Sequence, residues 1–143
     1  MADQEQDPQP EPSLSESFWA VARRLRHLTR EALAPWDVTP SQSRAIGVLQ
    51  RHGTMRLRDL AAHLRIAPRS ATEVVDDLES REVVERLPDP HDRRATLVRL
   101  TDRGTEIGAA IRAARAAEAE GFFGGLDEAD RADLARILRT LHG

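Results

Sequence analysis

Two short apolar stripes, placed back to back, constrain this chain more than any other feature. Leu57, Leu60, Ala61 and Leu64 form the first; Ala71, Val74, Val75 and Leu78 form the second. Both follow the i, i+3, i+4, i+7 spacing of a helix that buries a single face. Only Arg65-Ile66-Ala67 separates them, and Pro68 opens the second helix at a position where a missing N–H costs nothing. Helices this short are not stable alone in water, so the two must share a core. The pattern is that of a helix-turn-helix.

The flanking sequence extends this unit in both directions. Before it, Thr39-Pro40-Ser41-Gln42 is a helix start with a capping box, and Ala45, Ile46 and Leu49 form its buried stripe up to Gly53. After it, Val83–Leu87 reads as a strand that Pro88, Asp89 and Pro90 break into a loop. Thr96–Leu100 is the return strand, with Thr96, Val98 and Leu100 on one face. Asp92, Arg93 and Arg94 fall at the tip of the resulting hairpin.

Longer helices are expected outside the module. Leu14, Phe18, Val21, Ala22, Leu25, Leu28 and Ala32 share a face, and Pro35 stops that helix. Thr101-Asp102 caps a long helix with Ile107, Ala110, Ile111 and Ala114 inward, which Gly121, Gly124 and Gly125 interrupt. Asp127 caps a last helix carrying Leu134, Ile137, Leu138 and Leu141. The predicted fold is mainly α with a small β-hairpin wing. Its divisions are an acidic tail expected to be disordered over 1–13, an N-terminal helix and linker over 14–38, the central module over 39–100, and C-terminal helices over 101–143. The outer stripes exceed what the small module can cover. Burial against a second copy, giving a two-fold dimer, is therefore expected; folding back on the same chain is the alternative.

Composition narrows the function classes. At 143 residues, 31% charged and 40% hydrophobic, the chain suits one soluble domain. No apolar run approaches the roughly 18 residues of a membrane span, and the acidic, proline-bearing start is no secretory signal, so a cytoplasmic location is expected. The absence of cysteine rules out disulfides and thiolate chemistry. All 21 basic residues are arginine, the better partner for bidentate phosphate and guanine contacts. The net charge of −3 argues against indiscriminate nucleic-acid binding, but it is uneven: residues 1–16 carry five acids and no base, whereas 41–99 carry 11 arginines against 9 acids.

Two groups of residues are candidates for contact with nucleic acid. With its apolar stripe turned inward, the second short helix presents Pro68, Arg69, Ser70, Thr72 and Glu73 near its N-terminus, where free N–H groups and the helix dipole favour phosphate. Arg69 could pair with guanine or phosphate, Ser70 and Thr72 with base edges or backbone, and Glu73 with a cytosine amino group. Alone, this face is what any solvated helix presents. At the hairpin tip, Arg94 suits a narrow minor groove, with Asp92 placed to pair with it and fix its direction; Arg93 suits a phosphate or solvent. Alone, that tripeptide is equally a surface ion pair. The five histidines lack helix-ligand spacing, so no metal is expected. Trp19 and Trp36 suit the core, a dimer contact or an effector pocket. Asp76-Asp77 is a helix surface. No nucleophile–base pair or phosphate loop is present, so no catalysis and no cofactor are expected.

Taken together, these segments resemble the MarR family of winged helix-turn-helix regulators. The resemblance rests on Leu57-Arg58-Asp59-Leu60-Ala61, Ala67-Pro68-Arg69-Ser70-Ala71-Thr72, Val75-Asp76-Asp77-Leu78-Glu79, Val84-Glu85-Arg86, Asp89-Pro90-His91-Asp92-Arg93-Arg94-Ala95 and Leu100-Thr101-Asp102-Arg103-Gly104. It implies that Pro68–Ser80 is a recognition helix for the major groove and that Asp92 and Arg94 are the wing's minor-groove pair. It also implies a homodimer on a palindromic operator of double-stranded DNA, usually as a repressor. Many members are released by a small phenolic or lipophilic effector bound between the DNA-binding module and the dimer helices; no effector-binding residue is identifiable here. Two positions depart from the pattern: Glu82 stands where the family usually has glycine, so that turn is either strained or different, and Glu73 stands where many members are basic. A protein-interaction module on the same fold, without specific DNA binding, is the competing reading.

Overall fold

A computed structural model describes residues 10–143. The expected disorder of the tail falls mostly on residues 1–9, outside the described residues. Helix α1 spans Leu14–Glu31, and a 3-10 turn over Ala34–Trp36 leads to α2, Pro40–His52. A two-residue strand β1, Met55–Arg56, runs directly into α3, Leu57–Leu64, and then α4, Pro68–Ser80. Strands β2, Val84–Pro88, and β3, Thr96–Leu100, lead to α5, Asp102–Phe123, and α6, Glu128–His142.

Local chemistry sets these boundaries. Thr39 accepts from the Gln42 amide at 3.1 Å while Gln42 returns a bond to the Thr39 amide at 3.1 Å, the capping box expected at α2. Ser13, assigned to the tail from sequence, is instead the N-cap of α1, in a second capping box with Glu16. Helix α1 stops at Glu31, before Pro35, which sits inside the 3-10 turn. Gly121 does not break α5; the helix runs on to Phe123 and ends at Gly124.

The wing also differs from a simple hairpin. Its order is β1-β3-β2, all antiparallel, with Met55 opposite Val98 and Val84 opposite Leu100. Pro88 does not end the strand before itself but occupies its last position, opposite Thr96, where a lost N–H is tolerated.

The core lies where α2, α3, α4, α5 and the sheet converge. Ala45, Ile46, Leu60, Leu64, Val75, Leu78, Val83, Val84 and Val98 are essentially fully buried. Val74 is only half-buried, packed against this cluster. Of the α5 residues expected inward, Ile111 alone is fully buried. The tightest approaches are instead at Gly104 and Gly108. A Cβ at Gly104 would stand 2.9 Å from the carbonyl carbon of Val83, so only glycine lets α5 lie this close to the strand.

The outer helices carry an unburied apolar face. Neither α1 nor α6 has a fully buried residue. Trp19 is 55% exposed, Leu138 37% and Leu141 74%. Helix α1 leans on α5, where Arg24 lies over the Phe122 ring at 5.9 Å, and Arg131 of α6 pairs with Glu120 of α5 at 2.7 Å. Among the described residues no helix is long and apolar enough to cross a membrane.

Candidate nucleic-acid interface

Helix α4 is held by its buried stripe. Ala71, Val75 and Leu78 have no exposed surface. That anchoring turns Pro68, Arg69, Ser70 and Glu73 out to solvent and leaves Thr72 half-buried. Ala67, the N-cap, contributes no side-chain bond, so the first amides of α4 remain available to an external acceptor. Thr72 donates its hydroxyl proton to the Pro68 carbonyl at 3.0 Å, which leaves its oxygen only as an acceptor. Before this helix, Arg65 closes α3 in the left-handed conformation at φ 54°, and Arg44 of α2 donates to the Leu64 carbonyl.

The far end of α4 is clamped by arginines. Arg86 of β2 reaches Asp76 at 2.6 Å and Glu79 at 2.9 Å, and its amide donates to Glu79 at 3.0 Å. Asp76, read from sequence as plain helix surface, is therefore half of a tie between α4 and the wing. Arg81 donates to the carbonyls of Trp36 and Asp37, joining the end of α4 to the loop before α2. These bonds leave α4 little freedom to tilt against the sheet.

The wing tip is built on a carboxylate that sequence reasoning passed over. Asp89 is 7% exposed. Its Oδ2 accepts from Arg56 Nε at 2.8 Å and its Oδ1 from the His91 amide at 2.9 Å. The His91 amide, followed by the Arg56 guanidinium, holds the Asp89 carboxyl below the usual carboxylate range, against the opposing effect of burial. Arg56 is on β1, so one ion pair fastens the wing loop to the strand that opens α3. No local pattern links residues 33 positions apart. The only trace in the sequence is an acid between two prolines at a strand end.

Asp92 also behaves differently from expectation. It bonds the Arg94 backbone amide at 2.9 Å, not the Arg94 guanidinium. Its carbonyl accepts from Ala95 at 3.1 Å, closing a tight turn. Asp92 thus shapes the turn and leaves the side chain of Arg94 free. Arg93 and Arg94 are exposed, and neither forms an ion pair among the described residues. A cleft of about 330 Å³ separates Arg94 and Thr96 from Arg56 and Arg58 at the start of α3.

Glu82 settles the alternative left by the sequence. It keeps the left-handed turn at φ 60°, which favours glycine. Thr101 holds the turn by donating its hydroxyl to the Glu82 carbonyl at 2.6 Å. Among the other candidates, His52 and His63 stack at 4.5 Å, and no cluster of three or more possible metal ligands occurs among the described residues. Trp36 packs on the core, whereas Trp19 lies in the exposed stripe of α1.

Comparison with known proteins agrees with this geometry. Residues 36–95 match the family described as the MarR family. The HTH-type transcriptional regulator Mb0904 of Mycobacterium bovis is 35% identical over 102 residues, 71% of this chain and 68% of that protein. The HTH-type transcriptional repressor MdtR of Bacillus subtilis is 26% identical over 125 residues, 87% of this chain and 81% of MdtR. Other regulators match over 57% to 65% of their own length. The crystal structure of RV1404 from Mycobacterium tuberculosis, 27% identical, superposes with a TM-score of 0.81 over 95% of this chain and 97% of that one.

Proposed function

Because the chain belongs to the MarR family of winged helix-turn-helix transcriptional regulators, we propose that it binds a specific double-stranded operator as a homodimer and represses the adjacent gene. The observation that carries this reading is the joint exposure of two cationic features on one braced frame. Helix α4, whose N-terminus is open, is tied at its far end to β2 through Arg86, and the Arg93–Arg94 tip, without an ion pair among the described residues, joins β2 to β3 of the same sheet. Pro68, Arg69, Ser70, Thr72 and Glu73 enter the major groove, with Glu73 an acceptor for a cytosine amino group. Arg94 enters the neighbouring minor groove and Arg93 meets phosphate. The exposed apolar face of α1 and α6 is buried by the second copy, and the two-fold axis makes the operator palindromic. The repressor sign is supported by the name of MdtR. A small effector bound between the module and the outer helices relieves repression.

The test is operator binding by wild type and Arg94→Ala over a salt series. The substitution weakens binding by about 1–3 kcal/mol and lowers the salt slope by about one unit. Equal binding by both proteins at every salt concentration refutes the minor-groove role. No sequence-preferring binding by the wild type refutes the regulator reading itself.

A further inference from the structure

The turn between α3 and α4 is closed by a residue in a conformation that it does not favour. The Ile66 amide donates to the Ala61 carbonyl at 3.2 Å, and the Arg65 amide to the Ala62 carbonyl at 3.1 Å. These paired bonds form a Schellman motif, whose closing position is left-handed and is usually glycine. Here that position is Arg65, at φ 54°. Ile66 packs against the core, so the motif cannot relax without uncovering it. Arg44 also ties the turn, by donating to the Leu64 carbonyl.

The left-handed region crowds a Cβ against the following carbonyl oxygen, and such strain persists only where something offsets it. Three non-glycine residues have positive φ among the described residues: Asp37, Arg65 and Glu82. Asp37 is of the short polar type that tolerates the conformation. Glu82 has its carbonyl bound by the Thr101 hydroxyl and its carboxylate 3.8 Å from Arg103. The Arg65 side chain has no comparable support. It is exposed, and it makes no hydrogen bond or ion pair among the described residues. Nothing inside the fold offsets its strain, and glycine there would remove it.

The position of Arg65 in the site supplies a reason. It lies just before Pro68, the first residue of α4, whose opening amides have no side-chain cap. Arg69 is exposed on the other side of that start. Between Asp59 and Glu73 the chain carries no acid, so no carboxylate in this stretch competes for either guanidinium. An arginine before and an arginine after a helix start with open amides supply donors for phosphate oxygens.

We infer that Arg65 is a DNA phosphate contact beside the recognition helix, and that its strained turn is retained to present a guanidinium there. This rests on the operator-binding reading above and adds a residue whose role differs from that of Arg69. A phosphate contact carries no sequence information, so it strengthens binding to every duplex alike. A guanidinium that reads guanine does not.

The experiment uses the full chain, an operator duplex that the wild type selects from a random pool, and an arbitrary duplex of equal length. Arg65→Gly and Arg65→Lys are compared with wild type over a salt series. Arg65→Gly releases about one counterion fewer, so its salt slope falls by about 0.9, and its affinity for both duplexes falls about fivefold near roughly 0.15 M salt. Without DNA, its Tm rises by up to about 4 °C because the strain is gone. Arg65→Lys keeps both charge and strain, and matches wild type in slope and Tm. A purely structural role makes stability and binding fall together, whereas a phosphate contact moves them in opposite directions. The inference is overturned by unchanged affinity and slope in Arg65→Gly, by a loss confined to the selected duplex, by a fall in Tm accompanying the loss of binding, or by a lysine variant as weak as the glycine one. A wild type that enriches no sequence overturns the operator reading; the Arg65 contact is then upheld by a lowered slope on the arbitrary duplex and overturned by an equal one.

Discussion

Gly104→Ala isolates the closest approach in the fold. The added Cβ would lie 2.9 Å from the Val83 carbonyl carbon, nearer still to its oxygen, and 3.1 Å from Leu100 Cδ2. Ordinary carbon contacts are roughly 3.5–4.0 Å, so α5 must retreat from Val83, the residue before β2, by about an ångström. Backbone cannot rotate aside as a side chain does. The retreat strains two bonds that join the helix start to the turn before β2: the Thr101 amide to Val83 oxygen at 3.1 Å and the Thr101 hydroxyl to Glu82 oxygen at 2.6 Å. At about 1 kcal/mol each, with overpacking of similar size, the loss is about 3 kcal/mol. Better helix propensity returns at most about 1 kcal/mol, so the net destabilisation is about 2–3 kcal/mol. At a sensitivity of roughly 2–4 °C per kcal/mol, Tm falls by about 5–10 °C. Gly108→Ala on the same helix is the control, because its Cβ meets the movable end of Gln50 and one methyl of Ile46. Rotation of that amide absorbs the clash, and the change stays within about 1 kcal/mol. Urea unfolding of both variants at one protein concentration decides the matter. Equal stabilities, or a greater loss at Gly108, refute the argument that backbone contact sets the cost.

Other outcomes follow from the same structure. Glu82→Gly releases a left-handed φ of 60° that costs about 1–2 kcal/mol, offset in part by about 0.5–1 kcal/mol of chain entropy, so Tm rises slightly; a fall shows that the exposed Glu82–Arg103 pair matters more. Asp89 titrates below its unfolded value of about 3.9, so its anchoring of the wing is complete above that pH and is lost as pH falls through the lower, folded value. Acidification below about pH 4 should release the His91 amide, read by hydrogen exchange, and Asp89→Asn should remove that pH dependence. An unchanged acid profile in Asp89→Asn excludes Asp89 as the group responsible.

Much of the candidate site's local geometry was legible because it is encoded over short distances. The stripe of α4 fixes which of its residues face out, and a period-3.6 pattern is readable within one segment. The same holds for the capping box of α2 and the strand pair. What failed was the end of a strand, the choice between two partners on one neighbouring residue, and a distant contact. Pro88 was expected to end β2 before itself, yet the final position of a strand does not need the N–H. Asp92 was expected to hold the Arg94 side chain, but the nearer amide of the same residue captures the carboxylate first. Asp89 and Arg56 were not paired because nothing local couples them.

The sequence by itself determined the order of the six helices and the two hairpin strands, the helix-turn-helix, the exposed face of Pro68, Arg69, Ser70 and Glu73, and the apolar excess on the outer helices. These follow from periodicity and chain stops, which act between neighbours. Only the tertiary structure decided that Asp89 is buried against Arg56, that Arg86 braces α4, that Glu82 is strained, and that β1 completes the sheet. It alone revealed that Ser43 Oγ and Arg115 Nε are buried without a hydrogen-bond partner among the described residues. Burial and hydrogen-bond satisfaction depend on what the rest of the chain brings alongside a residue, and no window of sequence contains that information.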